Sequence, residues 1–288
     1  MSDRKLKVIV LTHGGSTRLL ELLAVDKRVE IAGIFVETAV QPERSLKQKF
    51  KRSIRYDGYR ATVKKFSAKV FGLKTADTED TGAVQKNQDE LEKCATELKI
   101  PLVRVDNFHD HSTIELLKAA NADLGILSGT NIIKKEVFSI PRLGSINIHQ
   151  GNAPFYRGGP PVFWELYNGE KNVGITVHFV AAKVDTGDII LQKMIPIEYD
   201  FDRYALDYER FLADYRISLR EPSARMLAAA VAAIADGVES RTKQDATLGK
   251  RYRLPVKAEK DMLVRILKKR QKETANWDVR LSQRQDQR

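Results

Sequence analysis

The chain has 288 residues, 42% of them hydrophobic, and a formal net charge of +11. That length suits one substantial core with at most a small second unit. No apolar run reaches the roughly 18 residues that cross a bilayer. The single cysteine, Cys94, excludes an internal disulfide. The N-terminus lacks the long apolar stretch of a signal peptide, so a cytoplasmic setting is expected. The basicity is local. Residues 44–74 hold eleven Lys/Arg and one acid, and residues 243–288 hold fourteen and six, which leaves −7 for the rest. Such patches suit RNA or an anionic membrane surface, with the protein then peripheral to the membrane, or they form a solvated helical face.

Residues 6–11 are a β-branched apolar run, the pattern of a strand buried on both faces of a parallel sheet. Gly14, Gly15 and Ser16 follow, then a helical pattern over 18–24. Strand, glycine-rich turn and helix together present free N–H groups to an anion; the same glycines also serve a plain turn. Residues 29–36 give a second strand with a right-handed crossover. Leu46, Phe50 and Ile54, then Val63, Phe66 and Val70, recur at helical spacing among cations. They predict two amphipathic helices broken near Asp57 and Gly58. Residues 73–88 are polar and read as a mobile loop.

A helix over 87–98, a strand over 101–105 and a helix over 112–120 capped by Ser112 come next. The strand 123–127, a short helix over 132–138 and the strand 144–149 complete the alternation. The pattern predicts an α/β, Rossmann-like, doubly wound and mostly parallel sheet, with ligands beyond the strand C-termini. Residues 12–16, 128–131 and 147–149 fall there. A helix over 162–168 ends at Gly169, and strands 174–180 and 188–192 are joined by a loop. Residues 204–236 and 257–272 are helical, a basic C-terminal appendage, and composition beyond 272 predicts disorder. The expected organisation is a catalytic domain over 1–200 with a basic helical insert at about 42–88. A helical region over 201–272 and a disordered tail over 273–288 would follow.

Asn147 and His149 are two apart, so on a strand they share a face. An amide donor beside an imidazole suits a reaction that builds negative charge on a carbonyl oxygen. A carboxylate beside the imidazole would raise its pKa and orient it, and Asp185 is the candidate. No serine or cysteine nucleophile accompanies them, which favours direct attack by a substrate amine. Taken alone, Asn-x-His is a weak signal and Asp-Thr-Gly-Asp also makes an ordinary turn, so the pattern leaves catalysis and structure both open.

Five motifs in order narrow this. They are Asn147-Ile-His149, Pro154-Phe-Tyr-Arg-Gly158, Asn168-Gly169-Glu170, Gly174-Ile-Thr-Val-His-Phe-Val180 and Val184-Asp-Thr-Gly-Asp-Ile-Ile-Leu191. Together they resemble the folate-dependent formyltransferase family, which includes glycinamide ribonucleotide, methionyl-tRNA and nucleotide-sugar formyltransferases. The resemblance implies 10-formyltetrahydrofolate as formyl donor, a primary amine as acceptor, and no metal. By position, His149 would act on the formyl oxygen with Asn147 as second donor. Asp185 would pair with His149 and relay the amine's proton.

Ser128, Gly129, Thr130, Asn131 and Ile132, with Ala181, Ala182 and Val184, correspond to the folate pocket. Gly14, Gly15 and Ser16 correspond to a phosphate-binding loop for the acceptor, from which the chain departs at His13 and Thr17. Tyr156, Arg157 and Gly158 lie in the loop where acceptor choice is expected. That loop looks more like the tRNA and sugar branches, whereas residues 201–288 show no strand series for the tRNA enzymes' β-barrel. A nucleotide-linked amino sugar is therefore the leading acceptor, with glycinamide ribonucleotide or methionyl-tRNA as alternatives. The reading from another class is a non-catalytic folate- or anion-binding or membrane-surface protein. A homodimer is compatible with either.

Overall fold

The computed structural model describes residues 4–38, 45–70, 76–245 and 247–285. Five strands pair in parallel: β1 (Leu6–Thr12), β2 (Val29–Glu37), β3 (Leu102–Val105), β4 (Leu124–Ser128) and β5 (Ser145–His149). After the two-residue β6 (Tyr156–Arg157), β7 (Asn172–Phe179) and β8 (Ile189–Pro196) extend the sheet antiparallel beyond β5. The order β3-β2-β1-β4-β5-β7-β8 reverses at β1. The switch point therefore lies between β1 and β4, where a doubly wound sheet opens a ligand crevice. The mostly parallel, Rossmann-like sheet is the one the strand pattern predicts.

Alternation along β1 builds the layers. Leu6, Val8 and Val10 enter one core, and Ile9 and Leu11 the core on the opposite face. The helices are α1 (Thr17–Ala24), α2 (Leu46–Asp57), α3 (Tyr59–Val70), α4 (Ala76–Glu97), α5 (His111–Ala119), α6 (Lys135–Phe138), α7 (Phe163–Asn168), α8 (Phe201–Tyr204), α9 (Tyr208–Ser218), α10 (Arg220–Asp236) and α11 (Lys257–Gln285). Leu19, Leu20 and Leu23 of α1 and Leu227, Ala230 and Val231 of α10 fill the first core. Leu117 of α5 and Val137 of α6 fill the second. A third core joins Phe163, Trp164 and Leu166 of α7 to Phe211, Leu263 and Leu267. The segment after residue 200 thus contributes to two cores, so residue 200 divides no core from another.

Several expectations change. The polar stretch read as a mobile loop is helical from Ala76 onward, held by the Gln85–Asp89 hydrogen bond and the Lys86–Glu90 pair at helical spacing rather than by an apolar stripe. Residues 39–44 and 71–75, parts of the predicted insert and loop, lie outside the described residues. Helix α5 starts at His111, with Asp110 rather than Ser112 at its N-cap. Helix α11 runs on to Gln285 through the segment predicted to be disordered, for Lys, Arg, Glu and Gln are good helix formers without any apolar periodicity. Helix α2 opens on a Ser45–Gln48 capping box, and Gly58, at φ 85, separates it from α3, at the break expected near Asp57 and Gly58.

A short strand, β9 (Lys250–Arg251), pairs in parallel with β6. Two residues carry no readable period, so the sequence gives no hint of it. This pairing brings the C-terminal region back onto the Gly/Pro-rich loop. Leu267 is fully buried in the third core. Leu267→Ala is therefore expected to lower stability in urea unfolding by about 2–5 kcal/mol. A loss near zero would show that α11 is a dispensable appendage.

Candidate active site

Strand β5 carries Asn147 and His149 to the same face, and β7 runs antiparallel beside it. That register sets Asn147 opposite His178 and His149 opposite Thr176. Asp185 arrives from the β7–β8 loop. Its backbone is left-handed at φ 51, a strained conformation for a residue with a Cβ. Gly187, two residues on, leaves no choice of side chain: a Cβ there would lie 1.8 Å from the Phe179 carbonyl oxygen.

The Asp185 carboxylate joins two imidazoles. Oδ2 lies 3.4 Å from Nδ1 of His149, and Oδ1 lies 3.4 Å from Nε2 of His178. The Gly158 N–H donates to Oδ2 at 2.8 Å. On the far side of each ring a backbone carbonyl accepts: Tyr156 O from His149 Nε2, and Phe179 O from His178 Nδ1, both at 2.8 Å. A carbonyl oxygen can only accept, so these nitrogens carry protons and the other two face Asp185. Asn147 Nδ2 lies 3.4 Å from His178 Nε2, which ties the amide into the same network.

Burial governs the electrostatics. It pushes the His149 pKa below its ordinary value, and the opposing effects of Asp185 and the Tyr156 carbonyl do not restore it. The carboxylate does raise this pKa, as expected, but desolvation of an imidazolium outweighs the attraction. Burial alone would raise Asp185. The His178 hydrogen bond, the His149 and His178 charges and the Gly158 N–H outweigh it and hold the carboxyl at about 2. The cluster is an ionised carboxylate, anchored by the Gly158 N–H, between two rings whose facing nitrogens donate to it only when the ring is an imidazolium.

The remaining predicted residues fall into two neighbouring groups. At the switch point, Thr12 Oγ1 meets Ser16 Oγ at 3.1 Å, and Ser16 Oγ donates to Ser128 Oγ at 3.0 Å. One residue assigned to the acceptor and one assigned to folate thus touch each other. Gly15 and Gly129 have nothing within 4 Å of where a Cβ would lie, so the crevice above them is open. Gly14 packs on Gln88, and the Asn131 N–H donates to His13 Nε2 at 3.1 Å. Ile132 is 63% exposed at the rim.

The second group surrounds Asp185. Val184 lies against Gly158, and Tyr156 stacks on Tyr252 at 5.1 Å. Ala181 is half-buried and Ala182 exposed on the same loop as Asp185. Arg157 is turned inward. Its guanidinium donates to the Pro154 and Gly249 carbonyls, each at 3.1 Å, so it braces the loop that was expected to choose the acceptor. No group of three or more metal-ligating side chains that could hold a metal ion is found among the described residues.

A family profile described as Formyl transferase matches residues 37–212, more than half of the chain. The chain belongs to this formyl transferase family. Among curated relatives, the methionyl-tRNA formyltransferase of Flavobacterium johnsoniae is 36% identical over 138 residues, 48% of this chain and 44% of that protein. The corresponding protein of Lysinibacillus sphaericus is 35% identical over 111 residues, covering 38% and 36%. The chain spans less than half the length of the curated relatives it matches.

Among solved structures, glycinamide ribonucleotide transformylase 1 from Symbiobacterium toebii superposes with a TM-score of 0.52 at 20% identity, covering 83% of this chain and 93% of that one. A sugar N-formyltransferase from Shewanella gives 0.51 at 16%, covering 86% and 76%. These likenesses show a shared fold.

The family motifs name the strand that carries His178 but not its role. Its contact with Asp185 depends on the β5–β7 register and on where the β7–β8 loop returns. Alternation gave one usable signal: His178 and Thr176 share a face of β7, and Asn147 and His149 share one of β5. Tyr252 and Glu165 carried no signal, since one comes from the distant C-terminal region and the other sits mid-helix.

Proposed function

We propose that this chain is a folate-dependent N-formyltransferase that moves the formyl group of 10-formyltetrahydrofolate to a primary amine, with a nucleotide-linked amino sugar as acceptor. The observation that carries this reading is the meeting of Asn147, His149 and Asp185 in one buried network of a formyl transferase fold. Bound formyl-folate supplies the group to be transferred. Residues 128–132 with Ala181, Ala182 and Val184 hold it. The open space above Gly129 and the exposed Ile132 suit a flat ring read by backbone groups.

Asn147 and the His149 ring donate to the formyl oxygen as negative charge builds on it. For His149 to use Nε2, it exchanges the Tyr156 carbonyl for the substrate oxygen. Asp185 fixes the ring and takes the acceptor's proton through it or through water. A cytoplasmic setting fits this chemistry, and no helix among the described residues is long and apolar enough to cross a membrane.

A second acceptor, methionyl-tRNA, is supported by the names of the curated relatives and by the cations along α2 and α3. The test supplies formyl-folate with, separately, an amino-sugar nucleotide, glycinamide ribonucleotide and charged tRNA, and follows tetrahydrofolate release. Release with the amino-sugar nucleotide is expected. Release with tRNA alone moves the assignment to the second acceptor. Release without any amine makes the chain a hydrolase, and no release in any arm overturns the reading.

A further inference from the structure

Beside His149 lies a small, half-open pocket of about 10 Å³, room for one water-sized group. Gln150, Tyr156, Trp164, Glu165 and Tyr252 line it with His149. Glu165 is 2% exposed, a carboxyl on a small helix buried among aromatic rings. No lysine or arginine pairs with it among the described residues. It is held by the N–H groups of Val162 and of its own backbone. Val162, just before α7, takes φ 74, a strained conformation for a β-branched residue. The far wall is fixed from the C-terminal region. Tyr252 N–H donates to the Arg157 carbonyl at 2.8 Å, and Trp164 Nε1 donates to the Arg253 carbonyl at 2.8 Å.

A buried carboxyl without a cation is costly unless something compensates it. The geometry points to this pocket as the seat of the acceptor's amino group, with Glu165 as the carboxylate that receives it as an ammonium ion beside the His149 ring. The inference rests on the acceptor being a primary amine, as proposed above. Burial pushes the Glu165 carboxyl up to about 7, so near neutral pH an arriving cation restores the charge that the empty pocket disfavours. Asp185 is poorly suited to this task, because two imidazoles and the Gly158 N–H already occupy its oxygens. The pocket admits the amino group itself, not the sugar ring or the nucleotide behind it. The phosphate-bearing part of the acceptor would extend outward along the Gly/Pro loop.

The test begins with a readout that needs no turnover. The full chain is treated with a water-soluble carbodiimide and increasing methylamine, then digested and mapped by mass spectrometry. Glu165 is expected to gain the methylamide with a saturable dependence on methylamine, despite its burial. No modification there, or modification that rises linearly without saturating, overturns the inference. Failure of the formyltransferase reading shows separately, as absence of tetrahydrofolate release with every amine. In turnover, Glu165→Gln is expected to raise the KM for the amine by about tenfold or more, the loss of one charged hydrogen bond, and to keep the KM for formyl-folate within about twofold. An equal change in both constants, or in neither, overturns it as well.

Discussion

Asp185→Asn is expected to lower formyl transfer by about three orders of magnitude, within the range for a lost acid–base partner, while formyl-folate binding is retained. The asparagine amide is neutral and brings an N–H₂ where the carboxylate had a second acceptor oxygen. If its oxygen keeps the Gly158 N–H, it still faces His149 Nδ1, but without the charge that favours a proton there. Its N–H₂ then points at His178 Nε2. Neither ring can any longer form a charge-assisted bond to this loop, and burial already disfavours the His149 imidazolium. Tetrahydrofolate release by the variant, together with calorimetric titration of formyl-folate, measures both halves. Turnover within about tenfold of the parent chain would remove Asp185 from the chemistry.

Most of the sheet is legible in the sequence because its strands are apolar runs buried on both faces, with glycine or asparagine punctuation between helices. Val8 and Val10 against Ile9 and Leu11 is a pattern that leaves little freedom. Asn147 and His149 were legible for the same reason: a spacing of two on a strand fixes their shared face. Contacts that depend on chain return were not. His178 reaches Asp185 only through the β5–β7 register and the left-handed turn at residue 185. Tyr252 reaches Tyr156 only because the two-residue β9 pairs with β6. The polar helices α4 and α11 were missed at their ends because intrahelical ion pairs, unlike core burial, leave no apolar stripe. The net direction of the His149 pKa was not legible for a related reason: sequence shows that a carboxylate near the ring raises its pKa, but not how little water remains around it.

Glu165→Gln is expected to stabilise the ligand-free protein at alkaline pH, relative to the parent chain, by about 3 kcal/mol. The carboxyl has an ordinary value near 4.5 and is raised by burial to about 7 in the folded chain. Between those values the folded state holds a proton that the unfolded state has released, so stability falls as pH rises. The contribution is fully present below about 4.5 and is lost once pH has passed about 7. Glutamine is neutral throughout and its oxygen can still accept from the Val162 N–H, so the variant lacks this loss.

Urea unfolding of both proteins at pH 5 and 8.5 isolates the effect. His149, lowered by burial, loses stability in the opposite direction as pH falls below 6.5, but it does so in both proteins and cancels in the difference. Of the other groups around Glu165, Glu170 is an exposed carboxyl whose charge adds to the upward shift. Tyr215 is raised to about 12, Tyr156 is raised further, and neither titrates in this window. A difference that does not change between the two pH values would mean that Glu165 is compensated in the folded chain. If the difference does grow, a primary amine that seats in the pocket should reduce it, stabilising the parent chain at pH 8.5 more than the variant. A residue that weakens the empty protein and is relieved by its ligand is what a binding carboxylate, unlike a purely structural one, is expected to be.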